Sequence, residues 1–193
     1  MEARFAGLIL AGGIGERYGG PKAFSRLPDG RPFLAACAEA LATAGAAPLL
    51  ATLPPDVPSL ASPNLQGLPL PAWGLAMFDS LRLGLERLLA DPVWRAVVVL
   101  PVDHPLVTPD TVRALVACDA EAALPSHDGK HGHPVKLSRR VAEAIVAQEL
   151  AGPTLRDVLR SVSTTDVPVD DPGVTANCNT PDALAAAWER FAR

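Results

Sequence analysis

Three short stretches of the 193-residue chain carry residue types suited to phosphate and metal chemistry. The first is Leu10-Ala11-Gly12-Gly13-Ile14-Gly15-Glu16-Arg17-Tyr18-Gly19-Gly20-Pro21-Lys22, directly after an apolar run. Glycines let backbone N–H groups come close to phosphate oxygens, and Arg17 and Lys22 add positive charge. Spacing excludes two familiar phosphate loops. A GxGxxG dinucleotide fingerprint starting at Gly13 would need glycine where Tyr18 stands, and a Walker A loop needs Gly-Lys-[Ser/Thr], whereas Lys22 lies between Pro21 and Ala23. The second stretch is Pro101-Val102-Asp103-His104-Pro105. A carboxylate facing a phosphate loop suits Mg²⁺, which takes one or two carboxylates together with phosphate oxygens and keeps several waters. The third is Asn177-Cys178-Asn179-Thr180-Pro181. An amide oxygen is a hard ligand, so Asn177 or Asn179 can complete a metal site. Taken singly, each stretch has a plainer reading: a glycine-rich turn, a proline-flanked turn, an asparagine turn before a helix. Their co-occurrence favours the chemistry.

The elements that must position these groups follow from hydrophobic period. Phe5 to Ala11 is a wholly apolar run, the mark of a buried parallel strand. Leu34, Cys37, Ala38 and Leu41 recur at helical spacing, so residues 32–44 are an amphipathic helix on whose apolar stripe Cys37 packs. Pro48 to Leu53 reads as a second strand, and 54–73 as loop with at most one strand. Leu81, Leu85, Leu88 and Leu89 mark a helix that Asp79 or Ser80 can cap. Ala96 to Leu100 is the most strand-like segment, expected to be central and to deliver Asp103 at its end. Thr108-Pro109-Asp110 opens a helix as cap, first-turn proline and acid. Short strands at 121–125 and 134–137 flank a polar, flexible loop, 126–133. Helices at 139–150 and 153–161 follow, then a strand at 167–171 with Asp166, Asp170 and Asp171 solvated. Thr180-Pro181-Asp182 caps a last helix presenting Leu184, Trp188 and Phe191 on one face. Strands alternating with helices make an α/β layered fold with a mainly parallel sheet, whose ligands bind outside the carboxyl ends of the strands.

Composition sets the outer bounds. A net charge of −4, from 17 basic and 21 acidic residues, argues against a nucleic-acid or anionic-membrane surface, so any polyanion must be held by local charge. With 49% hydrophobic residues the chain is expected to form one domain over 1–193. Cys37, Cys118 and Cys178 are odd in number and far apart, which suits a reducing cytoplasm. No apolar run approaches the ~20 residues of a membrane span, and the opening residues lack a signal-peptide pattern. A cytoplasmic monomer or homodimer is expected. His127, His131 and His133 with Asp128 do not have the spacing of a helical zinc site, and His133 is read instead as facing an acceptor from its loop. Ser80 has no recognisable triad partners, and Cys178 packs beneath the metal site.

The stretches at 10–22, 102–105, 132–135 (Gly-His-Pro-Val) and 177–181, in this order, resemble the molybdenum-cofactor nucleotidyltransferases. This MobA-like NTP transferase family includes molybdopterin cytidylyltransferase and molybdenum cofactor guanylyltransferase. The likeness covers nearly the whole chain and is most specific in LAGGxGxRxGGxK. It implies a three-layer Rossmann-like nucleotidyltransferase fold, mainly parallel with a short antiparallel element. It also implies Mg²⁺-dependent transfer of a nucleotidyl group from GTP or CTP to a molybdopterin-type phosphate, releasing pyrophosphate. By the same match Leu10, Ala11, Gly12, Gly13, Gly15, Arg17, Lys22, Asp79 and Ser80 bind nucleotide. Arg17, Lys22 and Asp103 are the catalytic set, Asp103 and Asn179 hold the metal, and His133 binds the acceptor. Asn177 and Asn179 look like the guanylyl branch, whereas Gly132-His133-Pro134 looks like the cytidylyl branch. The segment 76–81 departs from both, and Asp79 either accepts hydrogen bonds from guanine or caps its helix. The base stays open. So do another acceptor, such as a sugar or alcohol phosphate, and a nucleotide-binding protein without catalysis.

Overall fold

Phe5 to Leu10 folds as strand β1, buried along its length in the computed structural model, which describes residues 4–15, 18–57, 64–150 and 154–191. It lies between β2 (Leu49–Leu53) and β4 (Ala96–Pro101), parallel to both. The sheet continues outward from β2 to β3 (Gln66–Pro69). On the other side β4 is followed by β7 (Val135–Ser138), β5 (Ala122–His127) and β6 (Lys130–His131), with β8 (Thr164–Pro168) pairing β5. Only β7 and β6 run antiparallel to their neighbours, which is the short antiparallel element expected.

Side chains of successive strand residues point to opposite faces, so a parallel strand covered on both sides must be apolar throughout. On one face Phe5, Ile9, Val98 and Leu100 pack with α1 (Phe33–Thr43), α3 (Pro109–Ala117) and α6 (Pro181–Phe191). On the other, Ala6, Leu8, Leu10, Val97 and Val99 pack with α2 (Met77–Leu89), α4 (Arg139–Val146) and α5 (Leu155–Ser161). The result is three layers. Gly84 is the point of closest approach on the second face: a Cβ there would lie 2.7 Å from Leu8 Cδ1.

Helix starts mostly follow their chemistry. Thr108 Oγ1 accepts from Thr111 N with Pro109 behind it, and Thr180 Oγ1 accepts from Ala183 N at 3.1 Å. Helix α2 differs from expectation. Its cap is Ala76, with no side-chain hydrogen bond, because Met77 and Phe78 already belong to the first turn. Asp79 instead pairs with Arg82 at 3.7 Å, and Ser80 Oγ donates to Ala76 O at 3.2 Å, so neither caps. Helix α4 stops at Val146, before Gln148 turns to φ 58°. The last strand begins at Thr164 rather than Val167, since the Thr164-Thr165 pair and Val167 suit parallel pairing with β5. That leaves Asp170 and Asp171 in the turn beyond it. Asp170 is exposed, but Asp171 is not solvated: it is 2% exposed and caps the 3-10 turn Pro172–Thr175. The polar stretch at 126–133 is a hairpin rather than an open loop, with Asp128 and Gly129 taking its positive-φ turn positions. Among the described residues no helix is long and apolar enough to cross a membrane.

One register matters most for chemistry. Leu10 and Pro101 are Cα partners, so β1 and β4 end level. From β1 the chain passes through α1 to β2 on one side, while β4 lies on the other. The carboxyl ends of β1 and β4 therefore form the topological switch point where an open α/β sheet leaves a crevice.

Candidate active site

A cavity of about 320 Å³ opens at that crevice, walled by Leu10, Gly12, Gly13 and Gly15 from one strand end and Pro101, Val102 and Asp103 from the other. Leu75, Met77 and Ser80, at the start of α2, close a third side, and Lys22 reaches in from the end of the glycine loop. The loop is tight because Gly15 takes φ +68° and its carbonyl accepts from Tyr18 N at 2.8 Å. A Cβ on Gly15 would overlap the Gly20 carbonyl oxygen, so only glycine fits.

Two charged groups of the cavity wall, Lys22 and Asp103, meet a polar one beside it, Asn179. Lys22 opens the 3-10 turn Lys22–Phe24, and its Nζ lies 3.5 Å from Asp103 Oδ2 while donating a hydrogen bond to Asn179 Oδ1. Asn179 is brought there by the backbone: Cys178 N donates to Asp103 O at 2.8 Å, pinning 177–179 against the end of β4. Cys178 is itself buried in the core beside this contact. The carboxylate and the amide oxygen both approach one cation, the Lys22 ammonium. Such a pair of hard oxygen donors fits Mg²⁺ or Mn²⁺, which also draw on phosphate oxygens. Tyr18 packs edge-on against Phe33 at 5.8 Å, and its hydroxyl is buried without a partner among the described residues. Burial, with the charge of Asp103 behind it, pushes the Tyr18 phenol up to about 12.

Beyond Asp103 the chain enters a second hollow. His104 is 5% exposed and its ring meets that of His133 at 4.7 Å between centroids. Burial depresses both imidazoles, His133 to about 4 with His104 as a further cause, so His133 is neutral at neutral pH. Neither Nδ1 has a hydrogen-bond partner among the described residues. His133 and Asn177 line this second cavity rather than the first. The other histidines are engaged separately: His127 Nδ1 meets Val169 O at 3.1 Å, and His131, also on the wall of the second cavity, meets Asp166 through Nε2 at 2.9 Å, so the four do not converge as zinc ligands.

Of the residues expected at the nucleotide, Leu10, Gly12, Gly13, Gly15, Lys22 and Ser80 share the first cavity with Asp103, the expected metal ligand. Ala11 lies buried behind it, its N–H bonded to Thr52 O at 3.1 Å. Asp79 is not a wall: its carboxylate faces Arg82. Arg17 lies outside the described residues. Sequence reasoning passed over Leu75 and Met77 as walls, and Tyr18 and His104 as buried partners. The signal for His104 was its place directly after Asp103; Tyr18 showed only as a break in a glycine pattern.

The model of the MobA-like NTP transferase domain matches residues 7–167. Two molybdenum cofactor guanylyltransferases are similar over nearly all of both chains. That of Rhodobacter capsulatus is 33% identical over 192 residues, covering 97% of this chain and 97% of the relative. That of Bradyrhizobium sp. (strain ORS 278) is 30% identical over 210 residues, covering 96% and 92%. The manganese complex of Rv0371c from Mycobacterium tuberculosis H37Rv has the same fold, with a TM-score of 0.75 at 23% identity, over 98% of this chain and 100% of that one. A domain match running from β1 to β8, joined by relatives alike from end to end, makes this chain a member of the MobA-like NTP transferase family, a nucleotidyltransferase.

Proposed function

We propose that the protein transfers GMP from GTP to the phosphate of a molybdopterin-type acceptor with the help of Mg²⁺. An acceptor phosphate oxygen forms a bond to the α-phosphorus, the α–β bridging bond breaks, and pyrophosphate leaves. The observation that carries this reading is the meeting of Lys22 and Asp103, on the wall of a glycine-lined cavity, with Asn179 beside them. Guanine is favoured over cytosine by the two relatives, both named guanylyltransferases, and by the asparagine pair Asn177 and Asn179.

Each residue has a physical task. Backbone N–H groups of Gly12, Gly13 and Gly15 receive phosphate oxygens that no side chain obstructs. Arg17 grips the β- and γ-phosphates, as the resemblance implies. Lys22 faces the charge that builds at the α-phosphorus; one unit charge about 4 Å from another is worth about 4 kcal/mol at an effective dielectric of 20. In-line phosphoryl chemistry needs this positioning and stabilisation more than a covalent nucleophile. Asp103 and Asn179 would hold the divalent ion, which when bound neutralises phosphate charge. His133, neutral and in the second cavity, meets the acceptor without adding charge.

The test is pyrophosphate release with GTP, Mg²⁺ and molybdopterin, run beside CTP. Asp103→Ala is expected to reduce turnover at least a hundredfold, in line with the loss of one principal electrostatic group (~10²–10³ in rate). Undiminished turnover would refute the assignment of Asp103, and faster turnover with CTP would refute the base.

A further inference from the structure

The second cavity has a chemistry of its own. At about 930 Å³ it is far larger than the 320 Å³ of the first. Lys130, Arg156 and Arg160 line it together with His104, His131 and His133, and among the described residues its walls include no aspartate or glutamate. That concentration stands out in a chain of net charge −4. Arg160 lies 3.8 Å from Asp157, which is also bonded to Thr154, but Lys130 and Arg156 pair with no carboxylate among the described residues. His131 meets Asp166, so Lys130 and Arg156 are the wall's cations without counter-charges, and such cations on a concave wall concentrate the local field and attract an anion.

The two cavities stand back to back. Asp103 lines the first and the next residue, His104, lines the second. Beside them Asn179 meets Lys22 while Asn177 lines the second cavity, with Cys178 between them bonded to Asp103 O. Neighbouring residues of one chain segment thus serve the two cavities. His104 lines this cavity while almost fully buried. Pockets of 300–1,000 Å³ hold whole small molecules, so a bare alcohol phosphate would leave most of this one to water.

We propose that the second cavity holds the body of the acceptor and selects acceptors that carry a further negatively charged group away from the reacting phosphate, bound by Arg156, Arg160 and Lys130. The proposal rests on the nucleotidyl-transfer reading, since it places the acceptor's attacking phosphate beside Lys22 and Asp103. Arginine suits the task because its planar fork binds an oxyanion with two parallel hydrogen bonds.

Two measurements on the full-length chain separate this inference from the reading beneath it. In turnover with GTP, Mg²⁺ and molybdopterin, the double variant R156Q/R160Q is expected to raise the acceptor KM about ten- to hundredfold, roughly tenfold for each charge-assisted hydrogen bond lost. The GTP KM should stay within twofold, and R156K/R160K should recover part of the loss. An unchanged acceptor KM would overturn the inference and leave the nucleotidyl-transfer reading standing. The second measurement needs no turnover: crystals soaked in tungstate, a phosphate-sized dianion, should show an anomalous peak among Lys130, Arg156 and Arg160. A peak there supports the anion site even if no acceptor is turned over, an outcome that would overturn the reading of the reaction instead. A peak found only elsewhere, or none, would refute the site.

Discussion

Replacing Asp171 by asparagine isolates a feature that a charged residue after an exposed strand does not advertise. The carboxylate accepts four hydrogen bonds: Thr108 N and Thr108 Oγ1 at 2.9 Å and Thr111 Oγ1 at 2.6 Å on Oδ2, and Gly173 N at 2.9 Å on Oδ1. Asparagine keeps the shape and can keep the bond to Gly173 N, but it presents an NH₂ group where Oδ2 stood. The two threonine hydroxyls can rotate to accept from it; the backbone N–H of Thr108 cannot, and is stranded in a partly buried place. A stranded buried donor costs about 1–3 kcal/mol, and exchanging charged for neutral hydrogen bonds costs about another 1 kcal/mol. Losing the anion at the N-terminus of α3 adds about 0.5 kcal/mol. The sum, about 3 kcal/mol, corresponds to a fall of roughly 6–12 °C in Tm for a chain of this size. Thermal unfolding followed by circular dichroism measures it, with Asp170→Asn, exposed one residue away, as the control expected to stay within ~0.5 kcal/mol. Because the turn 172–175 leads into Asn177 and Asn179, activity should fall further than stability alone accounts for at temperatures where the variant is folded. A Tm loss below about 3 °C would refute the reasoning.

Three further outcomes follow from the same geometry. Lys22→Met should lower kcat about a hundred- to thousandfold in a pyrophosphate assay, the worth of one charge near 4 Å, while the protein remains folded. Gly15→Ala should weaken GTP binding at least about tenfold by calorimetry, since alanine at φ +68° costs about 1–2 kcal/mol and its Cβ would displace the Gly20 carbonyl. The last concerns pH. With His133 lowered from 6.5 to about 4, the unfolded chain takes up this proton first as pH falls. Stability is therefore complete above pH 6.5 and is lost between 6.5 and 4, by up to about 3 kcal/mol for this group. Urea titrations across that range should show a shallower loss for His133→Gln, and an identical slope would refute the assignment.

What could be read from residue order was what burial writes into it. The runs at 5–11 and 96–100 are apolar throughout because β1 and β4 are covered on both faces, and that fixed their place at the centre. Lys22 and Asp103 followed, as residues just past the ends of two such strands. Asp171 was misread because charged side chains usually lie in water, and its cradle comes from Thr108 and Thr111, some sixty residues earlier. The start of α2 was placed too late because a capping-type residue was expected, whereas the helix opens at Ala76 without a side-chain cap. The cations of the second cavity were invisible for a different reason. Lys130 comes from a hairpin and Arg156 and Arg160 from α5, and neither segment is unusually basic by itself.

The distance between Lys22 and Asp103 is held by the core rather than by their own ion pair. Partly exposed ion pairs contribute little, typically under about 1 kcal/mol, too little to fix the relative height of two strands. Sliding β4 by one residue against β1 would turn Val97 and Val99 out of one apolar layer and into the other. Sliding it by two would restore the faces but carry Asp103 about 6.6 Å along the sheet, out of reach of Lys22 and Asn179. The two-residue slip is opposed at the end of β4, where Val102 N bonds Leu10 O and Cys178 N bonds Asp103 O. Chemistry at the crevice thus depends on a register that apolar packing on both faces selects and that these two backbone hydrogen bonds lock.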